Sequence, residues 1–146
     1  MKSIIHIIIA SIVLVALISL PANAVTSDHY YIHYTHMTMK FSGTDAIVTL
    51  SFELDTFAKV YTLLMGTHNL EEDIKEMFYE FEDVKVSQIH KEYAIVRISN
   101  VSRLSNGYYL HDSRKLGSGV DLLTIVFPSG ATKQISNANA TMNIFY

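Results

Sequence analysis

The chain predicts an α+β fold, an antiparallel β-sheet of about six or seven strands with one or two helices packed on one face. Three observations carry that expectation. Residues 45–55 alternate apolar and polar side chains with a period of two. Residues 69–81 place apolar side chains at helical spacing behind an acidic start. The other apolar runs are short, rich in Val, Ile, Thr, Tyr and Phe, and bounded by Gly, Pro and Asn.

Met1, Lys2 and Ser3 lead into an apolar run at residues 4–20, broken by Pro21 and followed by Ala22, Asn23 and Ala24. A basic start, an apolar middle and a small-x-small end make a secretory signal peptide over residues 1–24, with cleavage expected after Ala24. The alternative is an uncleaved N-terminal anchor, because residues 4–20 nearly reach the roughly 20 apolar residues that a spanning helix needs. Lys2 is the one basic residue before Lys40, which gives such an anchor little to orient it. Either way, residues 25–146 are expected as a single extracytoplasmic domain, secreted or at the cell surface. Contact with the membrane is expected only through residues 4–20, if they are uncleaved.

Residues 28–41 read as a strand, and Ser42-Gly43 as a turn. In the next strand Ala46, Val48, Leu50, Phe52 and Leu54 point one way. Asp45, Thr49, Ser51, Glu53 and Asp55 point the other, with Ile47 the exception. The two strands should pair as a hairpin. Phe57, Val60, Tyr61 and Leu64 then fit a short helix closed by Gly66, or a bent continuation of the strand. Asn69 can cap the next helix, Glu71, Glu72 and Asp73 suit its positive end, and Leu70, Ile74, Met77, Phe78 and Phe81 form its apolar stripe. Residues 84–90 and 93–101 flank Lys91-Glu92 as a hairpin. Residues 120–127, nearly continuous and apolar, read as a central strand. Pro128-Ser129-Gly130 turns it into residues 131–136, and residues 142–146 suit a last short strand.

Composition narrows the function. Removing Lys2 from the 11 basic residues leaves 10 against 14 acidic ones, a net charge of −4 for the exported part. That balance argues against a nucleic-acid surface, which needs a dense basic patch. All 9 Tyr and 7 Phe lie beyond residue 24 and supply a core. The chain has no Cys, which excludes thiol catalysis, thiolate zinc sites and a lipid-bearing cysteine.

The densest polar cluster is Tyr108, Tyr109, Leu110, His111, Asp112, Ser113, Arg114 and Lys115, closing on Gly117 and Gly119. His111, Asp112 and Ser113 are the ingredients of a triad. Three consecutive residues seldom converge as a triad requires, and a G-x-S-x-G elbow is missing. The segment reads better as a binding loop, in which His111, Asp112, Ser113, Arg114 and Lys115 meet a carboxylate or phosphorylated group and glycines turn backbone N–H groups toward it. A plain solvated connection accounts for the same residues.

A second cluster is the start of the exported part. His29, His33 and His36, with Met37 and Met39, offer imidazole and thioether ligands for copper or zinc. In an extended strand His29 and His33 lie about 13 Å apart on one face, and His36 points to the other. Core packing of the methionines is the ordinary alternative. Glu53 and Asp55 share a polar strand face about 7 Å apart, as solvated strand residues commonly do. Asn100 and Asn139 each begin an N-x-Ser/Thr glycosylation triplet.

The run at residues 66–81, the stretch from Tyr108 to Gly117 and the Ile144-Phe145-Tyr146 ending resemble uncharacterised exported cell-envelope proteins of archaea, methanogens among them. The likeness spans most of the exported part, and it implies location without assigning a role to any residue. The sequence therefore reads as a non-catalytic cell-envelope binding or assembly module without cofactor, with a cell-envelope protein or glycan, or a second copy, as partner. The alternative is an extracytoplasmic copper- or zinc-binding protein using the His/Met strand. A second alternative is a small hydrolase at His111 and Asp112.

Overall fold

The computed structural model describes residues 32–66 and 68–146. The chain is α+β, as its periodicities predict. Strands β1 (Ile32–Ser42) and β2 (Asp45–Leu54) form the expected antiparallel hairpin, which turns at Gly43 with φ 59°. Residues 28–31 of the expected first strand lie outside the described residues. Helices α1 (Thr56–Met65) and α2 (His68–Glu76) follow. Strands β3 (Asp83–Ile89) and β4 (Tyr93–Ser99) make the second hairpin, and β4 pairs with β2.

Beyond β4 the chain builds β5 (Arg103–Ser105), β6 (Tyr108–His111), β7 (Lys115–Val126), β8 (Thr132–Ala140) and β9 (Ile144–Phe145). The large sheet has the order β3-β4-β2-β1-β7-β8, and β5-β6-β9 form a separate three-stranded sheet. One pairing departs from the antiparallel expectation, because β7 runs parallel to β1. Before joining the sheet, β7 passes the end of α2, where the Gly117 N–H donates to the Met77 carbonyl at 3.0 Å. It therefore reaches β1 from the open end of the first hairpin and runs with it, pairing His36 with Leu122 and Lys40 with Val126.

The alternation of β2 works as its sequence implies. Ala46, Val48, Leu50, Phe52 and Leu54 are all buried, while Ile47 points out on the polar face. They pack with Tyr34, Met37, Met39 and Phe41 of β1 and Ala94, Val96 and Ile98 of β4. The stripe of α2 covers this face, with Leu70, Ile74, Met77, Phe78 and Phe81 all buried. The helix stops at Glu76, short of the predicted residue 81. Beyond it Phe78, Tyr79 and Phe81 donate to carbonyls three residues back, so the turn tightens while the stripe stays inward. In α1, Val60, which its spacing with Phe57 and Leu64 places on the apolar stripe, is exposed.

Candidate binding face

The segment after Ser99 does not form the expected open loop. Ser105-Asn106-Gly107-Tyr108 closes a two-residue hairpin with φ 50° at Asn106 and 84° at Gly107, both left-handed. That is the conformation a type I′ turn requires and that Asn-Gly supplies. Residues 108–111 are thus a strand, and only residues 112–114 separate it from β7.

The register sorts the small sheet into two faces. Tyr109 and Tyr146 align inward, and so do His111 and Ile144, while Leu104 shares their side of the sheet but is exposed. Tyr109 and Tyr146 stack with ring centroids 5.6 Å apart, and the Tyr146 hydroxyl donates to the Gly43 carbonyl at 2.8 Å. This ties the small sheet to the turn end of the β1–β2 hairpin. The outward face carries Arg103 and Asp112, paired at 2.5 Å, with Leu110, Tyr108 and Phe145 beside them. Phe145 is 73% exposed and Tyr108 59%.

His111 holds the inner side together and is 1% exposed. Its Nδ1–H donates to the Val101 carbonyl at 2.7 Å, a group that can only accept. Nε2 must then be the acceptor, and the Thr141 hydroxyl donates to it at 2.9 Å. The ring lies against Phe41 at 5.0 Å and stacks on Phe81 at 6.4 Å. Burial pushes the His111 pKa down, and the Arg114 charge adds to this; the Val101 hydrogen bond and the Asp112 charge oppose it.

Asp112, Ser113 and Arg114 engage within the chain through their side chains and Lys115 through its backbone N–H, while the buried Arg114 Nε has no hydrogen-bond partner among the described residues. Arg114 rests its guanidinium over Phe81 at 5.4 Å and donates from Nη1 to the Glu80 carbonyl. The backbone N–H groups of Ser113, Arg114 and Lys115 donate to Asn143, Thr141 and the Glu80 carboxylate, respectively. The Ser113 hydroxyl donates to the Thr141 carbonyl. Asp112 turns outward to Arg103, so His111, Asp112 and Ser113 face three different ways.

The His/Met strand carries an irregularity that period two does not foresee. The β1–β2 register shifts between Tyr34 and His36, which leaves Thr35 as an extra residue. His36 therefore lies away from the core, as His33 does, which corrects the opposite-face expectation. His33 pairs with Asp121 at 2.9 Å, and His36 meets the Thr124 hydroxyl at 2.9 Å. Met37 and Met39 share the opposite, fully buried face, and His29 lies outside the described residues. Among the described residues, no group of three or more His, Cys, Asp or Glu is placed to hold a metal. Glu53 is exposed, and Asp55 accepts from the Ala58 N–H at 2.7 Å as the cap of α1. Asn100 and Asn139 are exposed, while the hydroxyl residues of their triplets, Ser102 and Thr141, are buried.

Comparison with family models, curated proteins and solved structures finds no match for this chain. The outward face of the small sheet is the surface that sequence reading missed. Its signal was the Asn106-Gly107 pair, which turns Tyr108 and Leu110 from loop residues into alternating strand residues.

Proposed function

We propose that the protein is a non-catalytic interaction module of the cell envelope, exported by its N-terminal segment, which meets a partner protein through the outward face of β5-β6-β9. The observation that carries this reading is the exposure of Phe145 and Tyr108 around Leu110, which Phe145 and Arg103 flank on the two neighbouring strands. Aromatic residues and arginine are the types enriched where proteins meet. The face is far smaller than the roughly 20–30 residues a side of a standard interface, which suits a short segment or a transient partner. The resemblance to archaeal envelope proteins agrees with an extracytoplasmic setting.

The test is site-specific photocrosslinking in the cell that makes the protein. A benzophenone amino acid replaces Tyr108 or Phe145, and Tyr93 at the far end of the large sheet serves as control. A discrete heterologous adduct at both positions, reduced by Arg103→Glu, is the expected result. An adduct of two copies would assign the face to self-association. Equal labelling at Tyr93 would remove the face from consideration.

A further inference from the structure

A polar cleft of about 560 Å³ opens at the end of the large sheet away from the Gly43 turn. Ser51 and Glu53 come to it from the polar side of β2, and Ser51 stands directly beside Tyr93 of β4. Thr35, the extra residue of β1, lines it too. Bulges of this kind re-aim a side chain and are over-represented beside functional sites. Lys91 and Glu92 from the β3–β4 tip and Lys59 from α1 complete the rim.

The backbone fixes this arrangement. The Phe52 N–H donates to the Glu92 carbonyl at 2.9 Å, which ties the hairpin tip to β2. The His90 N–H donates to the Tyr93 carbonyl at 2.8 Å and closes the hairpin. The His90 ring stacks on Tyr93, with centroids 4.4 Å apart and planes 22° from parallel. Tyr93 is thus backed on one face of its ring, and it remains 38% exposed. The charged side chains around it are uncommitted. Glu53, Lys59, Lys91 and Glu92 make no hydrogen bond or ion pair among the described residues.

Two ammonium and two carboxylate groups cancel, so net charge does not select the ligand. With the hydroxyls of Thr35 and Ser51 they set donors and acceptors around one aromatic ring. A neutral sugar needs that combination. Its hydroxyls donate to carboxylates and accept from ammonium groups, and the weakly positive C–H hydrogens of its ring suit the negative face of a tyrosine. The volume lies within the roughly 300–1,000 Å³ of ligand clefts. We propose that this cleft binds a neutral sugar unit, stacked on Tyr93 and held through Glu53, Glu92, Lys59 and Lys91. A zwitterion would satisfy the four charges but leave the Tyr93 ring and the two hydroxyls without a role. The site does not involve the small sheet and shares with the preceding proposal only the cell-envelope setting, where glycans are at hand.

The chain has no Trp, which makes the test direct. Tyr93→Trp in the full chain places a unique fluorophore in the cleft and keeps an aromatic platform, and Tyr108→Trp is the control on the small sheet. Each is titrated with the methyl glycosides of glucose, galactose, mannose and N-acetylglucosamine, and with glycine betaine as a zwitterion. The expected result is a saturable emission change with at least one glycoside at position 93 and none at 108. Solvated hydrogen bonds in an open cleft set the dissociation constant at about 0.1–10 mM. Glu53→Ala and Glu92→Ala, which leave no partner in the chain unpaired, should each weaken binding about threefold to tenfold. Saturation-transfer NMR with the same glycoside should show its ring protons against the wild-type protein and lose them with Tyr93→Ala. No saturable change with any glycoside overturns the proposal, as does the same change at positions 93 and 108. So does a response that both glutamate variants leave intact. Glycine betaine binding more tightly than every glycoside would overturn the sugar assignment. Crosslinking at Tyr108 and Phe145 is read as protein adducts, which a sugar held at Tyr93 does not produce, so the two readings fail separately.

Discussion

His111 should make folding stability depend on pH in one direction. The folded ring is neutral, with its proton on Nδ1 facing the Val101 carbonyl and Nε2 accepting from Thr141. Protonating Nε2 would make the Thr141 hydroxyl give up its donation there and turn to the Arg114 carbonyl, and it would bury a charge between Phe41 and Phe81, near the Arg114 guanidinium. Burial lowers the folded pKa from the ordinary value of 6.5, which the unfolded chain keeps. Below that pH the unfolded state binds more protons than the folded state, so stability is full above about pH 6.5 and is lost as pH falls through it. The loss ends once pH drops below the folded pKa. One proton gives a slope of at most about 1.4 kcal/mol per pH unit, hence at most about 1.4 kcal/mol between about pH 7.5 and about pH 5.5. Urea unfolding followed by far-UV circular dichroism at the two pH values measures it. His111→Gln supplies the reference, because its amide can donate to Val101 and accept from Thr141 without titrating. Every other side chain is common to the two proteins, so its contribution cancels in the difference. The wild-type protein should lose more stability on acidification than the variant. Equal losses would mean that the folded state protonates His111 freely, and the assignment of its two hydrogen bonds would be wrong.

Two further outcomes follow from local geometry. Gly117→Ala should destabilise the fold by about 1–3 kcal/mol, read from the urea midpoint, because a Cβ there would lie 2.5 Å from the Glu76 carbonyl oxygen and 3.2 Å from the Met77 Cα, backbone atoms that cannot swing aside. An unchanged midpoint would show that β7 and the end of α2 separate at little cost. Asp55→Ala removes the cap on the Ala58 N–H and should cost α1 about 0.5–2 kcal/mol, seen as faster hydrogen exchange at that amide while the sheet amides hold.

The legible parts of the fold were those set by local periodicity. The alternation of β2 and the stripe of α2 identify their buried faces without reference to anything distant, and both are buried as read. The same reasoning misplaced His36, because one extra residue at Thr35 reverses every side chain before it relative to those after. It also misplaced Val60 of α1, which sits at i+3 in the Phe57–Leu64 spacing and yet is exposed. It read residues 108–119 through their polar side chains and passed over Asn106-Gly107, the stronger local signal. The role of His111 depends on Val101 and Thr141, which lie 10 and 30 residues away in sequence, and on the rings of Phe41 and Phe81. The parallel pairing of β1 with β7 is likewise a product of the route past α2, which no local pattern encodes.

The exposed apolar side chains of the small sheet and of α1 sit at opposite ends of the same hairpin. Tyr146 fastens the small sheet at Gly43, where β1 turns into β2. Helix α1 follows Leu54, nine residues along β2 from Asp45. At the rise of a strand this is about 30 Å. Apolar exposure at both ends of one molecule is costly for a freely diffusing protein, since each patch invites association.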